Sequence, residues 1–324
     1  MRYLKGLLAA AVFALALPAA LAQASAWPDR PVKMIVPFPP GGTADILGRF
    51  LAQSLSTHLG KAVVVENKSG AGGLIGADFV AKAAPDGYTL LMSSAGPLGV
   101  ALALYPKVPY DILKDFAPVA MVAEAQMVLV SNPEFKAHTL KELVDLSKAK
   151  PMEVRAAINA TGSMHHLMTE MFATHNGTKF TMVPYRGSGP AIMDMLAGHI
   201  DLDVENLPAV AEYVKLGKLR AIATLGAERA PQLPDVPTFK ELGYPEFVAA
   251  PWFALVAPAN TPAAIVGKLN QAVNASLAGP DAKEWLAKQG ANAVPGTPQQ
   301  AADKIRSETV RWAEIVKKTG VKAD

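Results

Sequence analysis

The stretch Pro37-Phe38-Pro39-Pro40-Gly41-Gly42-Thr43-Ala44-Asp45 constrains this chain more than any other. The apolar, β-branched run from Val32 to Val36 precedes it and reads as a buried parallel strand. Ile46, Leu47, Phe50, Leu51 and Leu55 then recur with helical spacing, which predicts a helix from Thr43 to about His58. The stretch is therefore a strand-to-helix turn. Pro37, Pro39 and Pro40 stop the strand and stiffen the turn. Gly41 and Gly42 let the backbone approach a guest closely. Thr43 is expected as the N-cap, and Asp45 falls in the first turn, where a carboxylate suits the helix dipole. Such a turn presents free N–H groups, a ready site for an anion. The Lys-Ser/Thr ending of a phosphate-binding P-loop is missing. Local chemistry alone leaves two readings, an anion site or a tight turn without a ligand.

The first 26 residues read as a secretory signal peptide rather than as part of the fold. Arg2 and Lys5 form a charged start, Leu7 to Leu17 is an apolar run too short for a comfortable membrane span, and small-x-small cleavage sites overlap at Ala20 to Ala26. No Cys follows for a lipid anchor. The product is expected to be exported, to the periplasm. Hydrophobic residues make up 51% and charged residues 18%, which suits a packed core and excludes disorder. The net charge of +3 falls to +1 without Arg2 and Lys5, so there is no electrostatic footprint for nucleic acid. Zero Cys excludes a disulfide scaffold, a thiolate zinc site and a Cys nucleophile. About 300 mature residues are long for one core, so two domains are expected.

Along the chain, strands and helices alternate. Ala62–Val65 and Tyr88–Met92 read as strands, with a helix after Gly70-Ala71-Gly72-Gly73. That is the pattern of a parallel sheet with crossover helices. The Gly70–Gly76 glycines do not follow the dinucleotide fingerprint, and the first strand ends in prolines. Ser93 and Ser94 follow the third strand, where ligands bind in open α/β sheets; they read as carboxylate ligands or as a loop with local hydrogen bonds. Val119 to Val130 is one long apolar strand interrupted by Glu124 and Gln126. The second half repeats the logic. Val154–Ile158 is a strand, and Thr161, Gly162 and Ser163 open the next helix as a second anion site. His165, His166 and Glu170 lack the third ligand or partner that a metal or catalytic role needs, and capping or packing is expected of them. No cofactor and no metal is expected.

Several blocks in order resemble the Bug family, the solute-binding receptors of tripartite tricarboxylate transporters. They are Pro37 to Asp45, Glu66-Asn67 with Gly70 to Gly73, Ala84 to Leu90, Tyr185-Arg186-Gly187, and Gly198 to Asp201. The resemblance implies an α/β, two-lobed periplasmic-binding-protein-like fold of type II. Two α/β domains would be joined by crossover strands with a ligand cleft between them. Domain 1 is expected at residues 27–124 plus 255–324 and domain 2 at 125–254. Tyr185 is expected to close over the guest, and Arg186 either pairs a carboxylate at the rim or is a solvated charge. Asp203 to Asn206 lies where a strand meets the cleft. The family's usual Gly-Asn-Gly-Ser is Ala160-Thr161-Gly162-Ser163 here, which removes an Asn contact and implies a different ligand preference. The expected ligand-binding set is thus Phe38, Gly41, Gly42, Thr43, Asp45, Ser93, Ser94, Thr161, Gly162, Ser163, Tyr185, Arg186, Gly187 and Asp203. The implied partners are a small carboxylate and a two-component integral membrane permease, with the receptor acting as a monomer. Two other readings remain open. A sensor docking to a kinase would share this fold and site. A secreted hydrolase would need a nucleophile and base, and neither G-x-S-x-G nor H-E-x-x-H occurs.

Overall fold

The computed structural model describes residues 27–105, 107–159 and 163–319. The signal-peptide segment and the site residues Thr161 and Gly162 lie outside the described residues. Strand β1 (Val32–Val36) leads through the proline-glycine turn into α1 (Thr43–Leu59). The helix stops at Gly60, whose left-handed backbone (φ 68°) lets its N–H bond the Ser56 carbonyl. Then come β2 (Val63–Asn67), α2 (Leu74–Ala81) and β3 (Thr89–Ser94). β1 lies between β2 and β3 and is parallel to both, with Val32 opposite Val63 and Lys33 opposite Thr89.

The sheet is mixed rather than wholly parallel. Strand β10 (Trp252–Pro258) enters from far along the chain and runs antiparallel to β3 and to β4 (Phe116–Ala125). The short β11 (Ala291–Ala293) runs antiparallel to the outer side of β4. The order is β11-β4-β10-β3-β1-β2. Between β3 and β4 the chain makes a wide helical turn, Gly96–Val100, and a short helix α3 (Ala101–Leu104). Two glycines and a proline argue for a loop there, but Leu98, Val100, Ala101 and Leu104 are buried, and their burial holds the helical form.

A second sheet is built from β5 (Met127–Ser131), β6 (Arg155–Asn159), β7 (Thr181–Tyr185), β8 (Leu202–Asn206) and β9 (Arg220–Thr224). Its order is β7-β6-β8-β5-β9. β6 is parallel to β7 and β8, whereas β5 is antiparallel to β8 and β9. Helices α4 (Leu140–Ala149), α5 (Met164–Asn176), α6 (Ser188–Leu196) and α7 (Leu207–Lys215) connect these strands. The chain ends in α8 (Ala263–Ala278), α9 (Pro280–Lys288) and α10 (Pro298–Thr319), and α10 packs on β4 and the Gly96–Leu104 segment.

The two sheets make two α/β lobes. Alternation along β1 divides the first core: Val32, Met34 and Val36 face Leu47, Leu51 and Leu55 of α1 and Leu269, Val273 and Leu277 of α8. Ile35 points to the other face, into a cluster that continues through Met121 and Met127 to Phe172 and Phe239 of the second lobe. The chain passes between sheets at Gln126, which lies between β4 and β5. Its N–H donates to the Gly290 carbonyl (3.2 Å), and its carbonyl accepts from the Leu207 N–H (2.8 Å), so one residue is tied to both lobes. On the return path the Ala125 N–H donates to the Pro251 carbonyl, beside Ala249 bonded to Leu225, both at 2.9 Å.

Candidate ligand-binding site

Parallel strands end where their crossover helices begin, so strand C-termini and helix N-termini gather at one edge of each sheet. In this chain the two edges face each other. The turn after β1 and the segment after β3 meet the starts of α5 and α6 around a cavity. About 60 Å³ of it is open to the centres of water molecules. Among the described residues, no Lys, Arg, Asp or Glu lines it.

Six of the expected site residues line this cavity: Phe38, Gly42, Thr43, Ser94, Ser163 and Gly187. The N-cap of α1 is Gly42 and not Thr43, and its side makes no capping bond. Asp45 explains the shift. Its carboxylate accepts the Gly41 N–H at 3.1 Å, and with that anchor in place the helix starts one residue earlier. The Thr43 hydroxyl is left buried with no partner among the described residues. The first N–H groups of α1, at Thr43 and Ala44, have no helical carbonyl behind them and border the cavity. Ser163 does cap its helix: the hydroxyl accepts from the His166 N–H at 3.3 Å. Gly187 caps α6, and Ser188 of that helix also lines the cavity.

The other described members of the expected set lie outside the lining. Asp45 is 4% exposed, and its acceptors are spent on Gly41, on Arg49 (3.0 Å) and on the Asn67 amide (2.9 Å). Asn67 also donates to the Phe38 carbonyl at 3.0 Å, so the pair clamps the turn from behind. Burial pushes the Asp45 carboxyl up, but hydrogen bonds from Arg49, Asn67 and Gly41 outweigh it and hold it below the ordinary value. Gly41 turns the loop with φ 85° and faces Gly189 across the lobes. Ser93 is buried within β3, with its hydroxyl unpartnered among the described residues. The Tyr185 hydroxyl donates to Asp194 at 2.7 Å, and Arg186 is exposed.

Asp203 lies behind the cavity wall. It and Glu205 point to one face of β8, 1% and 0% exposed, and the Asn159 amide donates to both at 2.7 Å. Glu205 also accepts from the Asn206 N–H (2.6 Å) and contacts His165 Nε2 (3.1 Å). Burial and then the neighbouring Glu205 charge push the Asp203 carboxyl well up, against the opposing bond from Asn159. Asn159, His165 and Asn206 all line the cavity. None of the three is in the expected ligand-binding set, although Asn206 ends the stretch expected where a strand meets the cleft. Two of them are the last residues of β6 and β8, and that position was the available signal. Among the described residues, no group of three or more His, Cys, Asp or Glu could hold a metal ion, and no helix is long and apolar enough to cross a membrane.

Comparison with known proteins agrees with this architecture. Residues 47–321 match the family described as tripartite tricarboxylate transporter family receptor. BugT of Bordetella pertussis is 49% identical over 305 residues, covering 94% of each protein. Among solved structures, R. palustris Rpa4515 with adipate has a TM-score of 0.88 at 36% identity, over 91% of this chain and 99% of that one. MatC of Rhodopseudomonas palustris with bound malate has a TM-score of 0.85 at 33% identity, over 90% of this chain and 100% of that one. These are substrate-binding receptors, not enzymes. With the match running through most of both lobes, this chain belongs to the Bug family of tripartite tricarboxylate transporter receptors.

Proposed function

We propose that this receptor captures a small carboxylate between its lobes in the periplasm and delivers it to a two-component membrane permease. The observation that carries the reading is the convergence of three helix N-termini, those of α1, α5 and α6, on one cavity without a charged residue in its described lining. Helix N-termini stabilise an anion through backbone N–H groups and the helix dipole. Such donors hold a carboxylate without a fixed countercharge, which suits a protein that must release its cargo. The adipate and malate held by the two related structures support the same ligand class.

In this reading the ligand's carboxylate meets the Gly42, Thr43 and Ala44 amides and the Thr43 hydroxyl, with Ser94 and Gly187 beside it. Phe38 covers the apolar body, and Thr161, Gly162 and Ser163 complete the approach from the second lobe. Asp45 and Gly41 act by bracing the turn. The lobes correspond to residues 27–124 with 255–324 and to residues 125–254, and they hinge about the two crossings. The receptor works as a monomer, exported by the signal segment at residues 1–26.

A thermal-shift screen of the purified protein against organic acids tests the reading. A ligand at 100 times its Kd adds about 2.7 kcal/mol, which moves Tm by several degrees. A clear shift with at least one small carboxylate is expected. The absence of any shift, in protein unfolded and refolded to strip a bound guest, would overturn it.

A further inference from the structure

We infer that the ligand carries a hydrogen-bond donor, a hydroxyl or an ammonium group, beside its carboxylate, and that Asn159, His165 and Asn206 receive it. This deepens the carboxylate reading and rests on it. The argument starts from the buried acids. Asn159 Nδ2 lies 2.7 Å from both Asp203 Oδ2 and Glu205 Oε2. The amide nitrogen donates to both carboxyl groups at once, whereas an oxygen in its place would serve only a carboxyl that carries a proton. Both amide protons are thereby used, and the carbonyl Oδ1 remains, buried and without a partner among the described residues. His165 is oriented by the same carboxylate. Its Nε2 meets Glu205 Oε1 at 3.1 Å, a contact in which the ring nitrogen donates, and in the tautomer protonated only at Nε2 the Nδ1 is an acceptor. Nδ1 too is buried without a partner among the described residues, and so is the Asn206 amide oxygen, which that side chain can turn toward a donor.

The cavity is therefore polarised. One wall offers donors, the α1 amides and the Thr43 hydroxyl. The other presents acceptors, Asn159 Oδ1 foremost, backed by Asp203 and Glu205 and lying beside the start of α5. Buried acceptors left unpaired are destabilising, and a donor on the ligand removes that penalty. A second carboxylate at this end would face acceptors with two buried acids behind them. A hydroxy acid or an amino acid fits both walls, whereas a plain dicarboxylate fits one.

Calorimetry on the purified protein tests this with matched series: succinate, malate and aspartate; glutarate, 2-hydroxyglutarate and glutamate; propionate, lactate and alanine. In the series of fitting length, the hydroxyl- or ammonium-bearing acid is expected to bind about tenfold or more tighter than the plain one. The Asn206→Ala variant keeps the backbone N–H that bonds Glu205 and is expected to narrow that ratio. Asn159→Ala should narrow it further, but it strips two acids of a shared donor and endangers folding, so the ratio in Asn206→Ala decides. If acids bind but no donor-bearing member gains, the inference falls and the carboxylate reading stands. An unchanged ratio in Asn206→Ala overturns the assignment of the acceptor wall. If no acid binds, both fall.

Discussion

Asp45 and Asp203 are both buried, yet their surroundings push them in opposite directions, and each direction has a consequence for stability. Asp45 sits among donors, so its folded pKa lies below the ordinary 3.8. Its contribution is complete above that value and is lost as pH falls through the folded pKa. Asp45→Asn should cost about 2–3 kcal/mol, the worth of charge-assisted bonds lost, read as a lower denaturation midpoint at pH 7. The same variant should lose less stability than the parent between pH 4 and pH 2. Asp203 is the reverse case. Its folded pKa is raised by burial and by Glu205, so folding takes up a proton above pH 3.8. The stability this contributes is present below 3.8 and lost as pH rises through the folded pKa. Asp203→Asn removes the penalty and still offers Asn159 an acceptor. It should raise stability at pH 7 by about 1–2 kcal/mol, or roughly 2–4 °C in Tm per kcal/mol. A Tm that does not rise, or that keeps the parent's slope with pH, would contradict this account. The sequence placed Asp45 in the first turn of a helix and Asn67 in a block shared with the family, but nothing in it paired the two, 22 residues apart, so that the Asn67 amide completes the Asp45 shell. Asn159 was as opaque, since its partners are 44 and 46 residues away and only strand pairing brings them together.

The lobes meet through short elements that tolerate almost no side chain. A Cβ on Gly189, near the start of α6, would stand 2.3 Å from the Pro40 carbonyl oxygen, and one on Gly187 would stand 2.7 Å from Pro39 Cδ. Two prolines of one turn thus rest on two glycines of the other. Gly189→Val should keep each lobe folded but hold the lobes apart, because the backbone at Pro40 cannot yield. If the closed arrangement becomes a minor state, apparent affinity falls by that fraction. A loss of about tenfold or more is expected by calorimetry, with the ligand-free Tm nearly unchanged; undiminished affinity would show that closure does not need this contact. The turn itself was legible, because strand, prolines, glycines and helix are consecutive. So were α8, α9 and α10, whose boundaries follow Pro262, Pro280 and Pro298. Less legible were elements that depend on distant partners. The apolar run Val119 to Val130 reads as one strand interrupted by Glu124 and Gln126, with a boundary expected near residue 125, but nothing in it says which strands each half pairs with on either side of Gln126. β11 has three residues, too few for any period, and exists because β4 offers it an edge.

At the scale of the whole molecule, the proposed closure is a motion about two crossings, which are bonded to each other where the Ala125 N–H donates to the Pro251 carbonyl. Gln126 is held by Gly290 and Leu207, and its side chain packs where a Cβ on Gly226 of the return path would come within 2.6 Å. A hinge this enclosed favours rotation over sliding, so the turn Pro39–Gly42 and the start of α6 are expected to separate as a unit when the cavity opens. The chain provides a direct way to test that motion. A Cβ built on Gly42 lies 3.4 Å from the Ser188 Cβ, close to the 3.5–4.5 Å span of a disulfide, and Gly42 has an ordinary φ of −83°. The natural sequence has no Cys to compete. The double variant Gly42→Cys with Ser188→Cys should oxidise readily and lock the lobes closed. Oxidised without ligand, it should bind a labelled carboxylate far more slowly than the parent; oxidised with ligand, it should retain the carboxylate through gel filtration. Reduction should restore exchange in both, which separates a closed gate from a site damaged by the new side chains. Free exchange in the oxidised protein would mean that ligand enters without parting this contact, and the hinge account would fail even if the carboxylate site were correct.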